Sequence, residues 1–266
     1  MTILDKIIAY KKNEVAKAKG SVTVANLEKR ALFKRETVSL SGSLLDKSKS
    51  GIIAEFKRRS PSKGIINSGA SVVETTSGYF REGASGISIL TDDQFFGGSS
   101  ADLTLARKDS LFPILRKDFI TDQYQVIESK AIGADAILLI ASVLTKPEIL
   151  DLAQLARSIG LEIILEIHEQ DELDKLNRFI NIVGVNNRNL KTFEVNTDIS
   201  VILAEKIPEN FIRISESGIS SSQVIKKLRN SGYSGFLIGE KFMSSPDPVG
   251  VFSEFVKELT GSNDKD

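Results

Sequence analysis

A short apolar run followed by a helical pattern recurs eight times from residue 51 onward, and nothing else constrains this chain so strongly. The runs are Ile52–Phe56, Gly86–Leu90, Phe112–Leu115, Ala136–Ile140, Glu162–Ile167, Ile180–Val185, Phe211–Ile214 and Gly235–Ile238. Each has the length and composition of a buried strand. Helical patterns lie between them, among them Val72–Glu82, Tyr124–Ile132, Lys146–Ile159, Glu169–Asn177, Thr197–Lys206, Ser221–Asn230 and Pro248–Leu259. This alternation predicts an α/β fold, a parallel (β/α)8 TIM barrel. An open doubly wound sheet is the competing architecture. Residues 1–48 read as an N-terminal helical extension. Ile3, Leu4, Ile7 and Ile8 form one apolar stripe there, and a second polar-apolar stretch covers Val24 to Phe33. Both read as cover for a larger body. No linker divides the chain, so a single barrel domain is expected over 1–266.

Composition narrows the function. Lys plus Arg equals Asp plus Glu, 35 each, and the formal net charge is zero. That argues against a general nucleic-acid or anionic-membrane binder, while leaving room for a local site for a small anion. There is no Cys, hence no disulfide framework and no thiolate chemistry. Asp5, Lys6, Lys11 and Lys12 interrupt any signal-peptide core. The longest apolar run, Ala136 to Leu144, is too short to cross a bilayer. A soluble, cytoplasmic monomer is expected, with a small molecule as its partner.

Barrel enzymes place chemistry at the C-terminal ends of their strands. Read in order, those ends carry Glu55 and Lys57, the loop Thr91–Gly98, Arg116–Phe119, Glu166, Asn186–Arg188, Ser215–Ile219 and Gly239-Glu240. Glu55 and Lys57 are two apart and share one side of the first strand. Lys57 and Lys117 each have a carboxylate within two residues, Glu55 and Asp118, and each could instead merely snorkel. Paired, they read as amines whose acidity is set for proton transfer. Glu166 ends an apolar strand, where burial shifts a carboxyl toward general-base use.

The last two strands form a second unit. Ser217-Gly218 and Gly239-Glu240 offer backbone N–H groups at the barrel's usual phosphate site. Ser60, Ser62 and Lys63 could close over the same anion. Phe95, Phe96 and Phe119 read as core or as an apolar wall for an aromatic ring. His168 is the single histidine and reads as a satisfied loop residue sharing the face of Glu166. No metal-ligand spacing occurs around it, and no metal site is expected.

These motifs resemble those of the indole-3-glycerol-phosphate synthase family. They are Ile53-Ala-Glu-Phe-Lys-Arg-Arg-Ser-Pro-Ser-Lys-Gly64, Ile87-Ser-Ile-Leu-Thr-Asp92, Ile114-Leu-Arg-Lys-Asp-Phe119, Leu165-Glu-Ile-His168, Gly184-Val-Asn-Asn-Arg-Asn-Leu190, Ile214-Ser-Glu-Ser-Gly-Ile219 and Leu237-Ile-Gly-Glu240. They appear in order over essentially the whole chain from residue 51, and the helical extension is also similar. The resemblance implies ring closure, decarboxylation and dehydration of 1-(2-carboxyphenylamino)-1-deoxyribulose 5-phosphate, with no cofactor. It implies Lys117 as general acid, Glu166 as general base, Lys57 as partner of the substrate carboxylate and Glu55 as the group orienting the amines. It implies substrate positioning by Asn186, Arg188, Glu216 and Ser217, and phosphate binding by the backbone of Gly218, Gly239 and Glu240; Ser60, Phe96 and Phe119 are expected to bind substrate from the reading of the residues above. The chain departs from the family pattern in Lys241-Phe-Met-Ser244 after the last Gly-Glu, and at Asn189, where Asp is common. The alternatives are a phosphoribosylanthranilate isomerase-like barrel and a non-catalytic phosphate-ligand sensor.

Overall fold

The computed structural model describes residues 2–108, 110–189 and 192–261. The last motif residue Leu190, and the polar tail beyond Gly261, lie outside them. Eight parallel strands close into a barrel: β1 (Ile52–Phe56), β2 (Gly86–Leu90), β3 (Ile114–Lys117), β4 (Ala136–Ile140), β5 (Glu162–Ile167), β6 (Ile182–Asn186), β7 (Ile212–Glu216) and β8 (Gly235–Ile238). Each pairs with its sequence neighbours, and β8 returns to β1 through Ile52–Phe236, Ile53–Leu237 and Ala54–Ile238. The expected barrel is therefore the fold, and the open sheet is excluded.

Period-two alternation divides the strand residues between two cores. Ile53, Leu115, Leu138, Ile164, Ile182 and Ile214 point inward and fill the barrel. Their sequence neighbours Ile52, Ala54, Ile114, Ile163, Leu165 and Val183 point outward and pack under the helices. Because the alternation is strict, the inward position at a strand's C-terminal end is the place where a polar side chain reaches the mouth.

The strands run further toward the mouth than the apolar runs indicate. Lys117, Asn186 and Glu216 are the last residues of β3, β6 and β7, and each is paired with its neighbouring strand. Their charge or polarity hid them from an apolar-run reading, but the ladder continues through them. The expected helix at 169–177 is instead a 3₁₀ segment, Gln170–Lys175. It is rich in Asp and Glu with little apolar stripe, and Glu172 turns back to cap the preceding backbone. Between β2 and β3 the chain adds two helices absent from the sequence reading, α5 (Asp93–Phe96) and α6 (Ser100–Arg107).

The extension forms helix α1 (Ile3–Ser21), α2 (Val24–Glu28), a 3₁₀ turn at Ala31–Lys34 and α3 (Leu40–Leu45). It touches both ends of the barrel. Leu40 and Leu44 of α3 join the interior core from below. Near them, Arg35 pairs with Asp135 at 2.7 Å, and Ser39 and Ser41 donate to Glu162. Helix α1 reaches the opposite end, over the mouth.

Candidate active site

The strand ends surround a cavity of about 670 Å³. At its floor lies Lys117, whose Nζ is 3.0 Å from Glu166 Oε2 and 2.6 Å from Glu216 Oε2. The three come from β3, β5 and β7, from inward positions. Burial disfavours the Lys117 ammonium, but Glu166, Glu216 and Glu55 outweigh it and hold the amine protonated above the ordinary lysine range.

One ammonium cannot satisfy two buried carboxylates equally. Burial pushes Glu216 up to about 7, with Lys117 opposing and Glu166 and Glu55 adding to the rise. Burial also works against ionised Glu166, but Lys117, His168 and the Asn186 side chain pull it below the usual carboxylate range. The pair therefore splits, Glu166 ionised and Glu216 poised to carry a proton near neutrality. One oxygen of Glu216, Oε1, is buried with no hydrogen-bond partner among the described residues.

Asp118, read from sequence as the partner of Lys117, is turned away from it. Adjacent residues of an extended chain point to opposite sides. Asp118 instead accepts from Thr91 at 2.6 Å and pairs with Arg116 at 3.1 Å and with Lys11 at 2.9 Å. Lys57 and Glu55 do meet as expected, at 2.5 Å, on the other side of the cavity. Gly239 lies against Glu55, so that a Cβ there would overlap the carboxylate.

Ser217 and Gly218 both have positive φ, 68° and 75°. This turns the chain sharply after β7 and aims backbone toward the cavity, as anion cradles require. Gly218 has a second reason to be glycine, since a Cβ would run into Val195. Gly239 caps the short helix Glu240–Met243, whose first N–H groups lack partners within the helix. Glu240 thus reaches the cavity edge through its backbone, while its carboxylate faces Lys63 at 3.5 Å and Arg188 at 3.9 Å. Ser60 and Lys63 sit on a small hairpin, Arg59–Ser60 with Gly64–Ile65, that folds over this side. Arg188 is held by the Phe193 carbonyl and its own N–H donates to Asn186.

The apolar side of the cavity contains Phe96 and Phe119, with ring centroids 6.0 Å apart. Ile3, Leu4 and Ile7 of α1 complete it. The sequence reading gave α1 no place at the site. Its signal was Lys11, which falls on the same helical face as Ile7 and Val15, four residues from each. A lysine on a buried stripe needs partners. Lys11 is fully buried and reaches Asp92, Asp118 and Glu14 at 2.9, 2.9 and 3.0 Å.

Comparison with known proteins fits this geometry. The family model described as indole-3-glycerol phosphate synthase matches residues 4–258. The chain belongs to the indole-3-glycerol phosphate synthase family. Its relatives include the indole-3-glycerol phosphate synthases of Bacteroides thetaiotaomicron and Alkaliphilus metalliredigens. The first is 46% identical over 97% of this chain and 98% of the relative. The second is 42% identical over 97% of each. The chain is therefore an enzyme, of the decarboxylating lyase type that this family name denotes. Among solved structures, 3-hexulose-6-phosphate synthase from Salmonella typhimurium covers 80% of this chain and 100% of its own, with TM-score 0.62 and 13% identity. A mutant tryptophan synthase α-subunit from Pyrococcus furiosus covers 80% and 99%, with TM-score 0.60 and 15% identity. At such identities these two share the fold alone.

Proposed function

We propose that the cavity converts 1-(2-carboxyphenylamino)-1-deoxyribulose 5-phosphate into indole-3-glycerol phosphate, carbon dioxide and water, a step of tryptophan biosynthesis. The observation that carries the chemistry is the Lys117 ammonium shared between Glu166 and Glu216 at 3.0 and 2.6 Å. The substrate phosphate seats against the N–H groups of Gly218, Gly239 and Glu240. The ring lies between Phe96, Phe119 and the α1 residues. Ser60, Asn186, Arg188 and Ser217 orient the chain between them.

Lys117 protonates the ribulose carbonyl oxygen as the ring carbon that bears the carboxylate attacks the carbonyl carbon. Lys57, steadied by Glu55, faces that carboxylate, which leaves as carbon dioxide and restores the aromatic ring. Dehydration then needs an acid for the departing hydroxyl and a base for the proton lost with it. Ionised Glu166 is the base. Glu216, which can hold a proton near neutral pH, returns one to Lys117 between steps. This gives Glu216 more than the positioning role the resemblance implied.

A cytoplasmic monomer with one barrel domain, acting on a phosphorylated small molecule without nucleic-acid or membrane partners, completes the proposal. No helix among the described residues is long and apolar enough to cross a membrane.

The test is turnover of the carboxyphenylamino substrate by Lys117→Ala. kcat should drop roughly 10²–10⁴-fold with a much smaller change in KM, because acid catalysis acts in the transition state. A kcat within a few-fold of the parent would remove Lys117 as the acid.

A further inference from the structure

His168 follows Glu166 in the inward register but is not the satisfied loop residue its position in the sequence indicates. Its side chain is only 13% exposed, and both ring nitrogens are buried with no hydrogen-bond partner among the described residues. Each instead faces a carboxylate just beyond hydrogen-bond range. Nε2 lies 3.6 Å from Glu166 Oε1, and Nδ1 lies 3.8 Å from Glu172 Oε2. Glu172 is fixed independently, by the backbone N–H groups of His168 at 2.6 Å and Glu169 at 3.3 Å. The 3₁₀ segment that replaced the expected helix thus delivers a carboxylate to the far side of the imidazole.

We propose that His168 is a positioning residue for Glu166. Clamped as an imidazolium between Glu172 and Glu166, it holds Oε1 of the base, keeps that carboxylate in its proton-accepting form, and leaves Oε2 to Lys117. The inference rests on Glu166 being the base of the proposed reaction.

The surrounding charges support the clamp. The groups acting on the imidazole are Glu166 on β5, Glu172 on the 3₁₀ segment and Glu216 on β7, with the Lys117 ammonium of β3 behind Glu166. Burial disfavours the imidazolium, but Glu172, Glu166 and Glu216 outweigh it and raise the histidine above its ordinary value. A cation there in turn lowers Glu166.

The chain has one histidine, so an untagged sample gives a single imidazole NMR titration. That titration should lie above the free-histidine value and move down in Glu166→Gln, where one facing charge is lost. An identical titration in both proteins overturns the proposal, with no need for activity. In kinetics, His168→Asn should move the acid limb of the kcat profile to higher pH, because Glu166 is then more easily protonated. kcat itself should fall about tenfold, the order of one lost contact to a charged group, with KM little changed. An unmoved limb with Glu166→Gln inactive sinks the role of His168 and leaves the base assignment standing. An active Glu166→Gln sinks the base assignment itself. Glu172→Gln should shift the imidazole titration down as well, and no shift there removes Glu172 from the clamp.

Discussion

At the residue scale the candidate site is built on unequal sharing. Lys117 touches two carboxylates that differ in little except their other neighbours. Glu166 has His168 and Asn186 on its far side, whereas Glu216 has an oxygen with no hydrogen-bond partner among the described residues. This difference has a consequence for stability. The folded-state pKa of Glu216 is raised to about 7, above its unfolded value. The unfolded chain therefore releases this proton first as pH rises. Stability from the group is present in full below the ordinary carboxylate value and is lost as pH climbs to about 7. Glu216→Gln removes that titration. Its melting temperature should accordingly fall less than that of the parent between about pH 5 and about pH 8. On the role proposed for Glu216, the same variant should lower kcat more than it raises KM, since proton return to Lys117 would be lost. Parallel melting curves for parent and variant across this range would show that Glu216 does not hold a proton in the folded protein.

At the element scale, helix α1 is part of the site although its sequence reads as cover. Three apolar residues of its first turns wall the cavity, and Lys11 pins the helix to two loops at once. Asp92 caps α5, which carries Phe96, and Asp118 directly follows Lys117. One buried ammonium thus ties the roof, the aromatic wall and the strand end that carries Lys117 together. Lys11→Met keeps the apolar stem but takes the cation from buried Asp92 and leaves Asp118 with Arg116 alone. Breaking such a pair costs about 3–5 kcal/mol, because the remaining charge is uncompensated. Denaturant unfolding should register that loss. KM should rise as α1 loosens, and Lys11→Met combined with Asp92→Asn should recover part of the stability. A single variant as stable as the parent would mean that water reaches these carboxylates and that the clamp is not closed.

At the scale of the whole molecule, the barrel was legible because eight buried strands impose apolar runs that helical segments cannot imitate at that length. The strand-end residues that line the cavity were legible for a related reason. A charged residue at the end of an apolar run has few structural excuses, so Glu55, Lys57, Lys117 and Glu166 stood out. Their partners were not legible. Which carboxylate meets Lys117 depends on the closure of the barrel, which brings β3, β5 and β7 across from one another, and sequence adjacency pointed to Asp118 instead. The role of α1 depends on where a surface helix docks, and only Lys11 on its stripe betrayed it.

The same closure separates two ends with different duties. At the end away from the cavity, Asp135 is fully buried and accepts from Arg107, from Arg35 at 2.7 Å, and from the backbone N–H groups of Val38 and Ile114 at 2.8 Å each. It ties the extension to the start of β3 and to α6, with no side chain at the mouth. Asp135→Asn exchanges one acceptor oxygen for an amide that cannot accept, leaving buried Arg107 and partly buried Arg35 short of a counter-charge. The expected loss is on the order of 3 kcal/mol in unfolding free energy. Turnover and KM, assayed well below the melting temperature, should stay within about twofold of the parent, since a substitution remote from the reacting groups removes no transition-state contact. A large fall in kcat with an unchanged melting temperature would show that the two ends are coupled through the barrel interior, and that the division between a stabilising end and a reacting end does not hold in this protein.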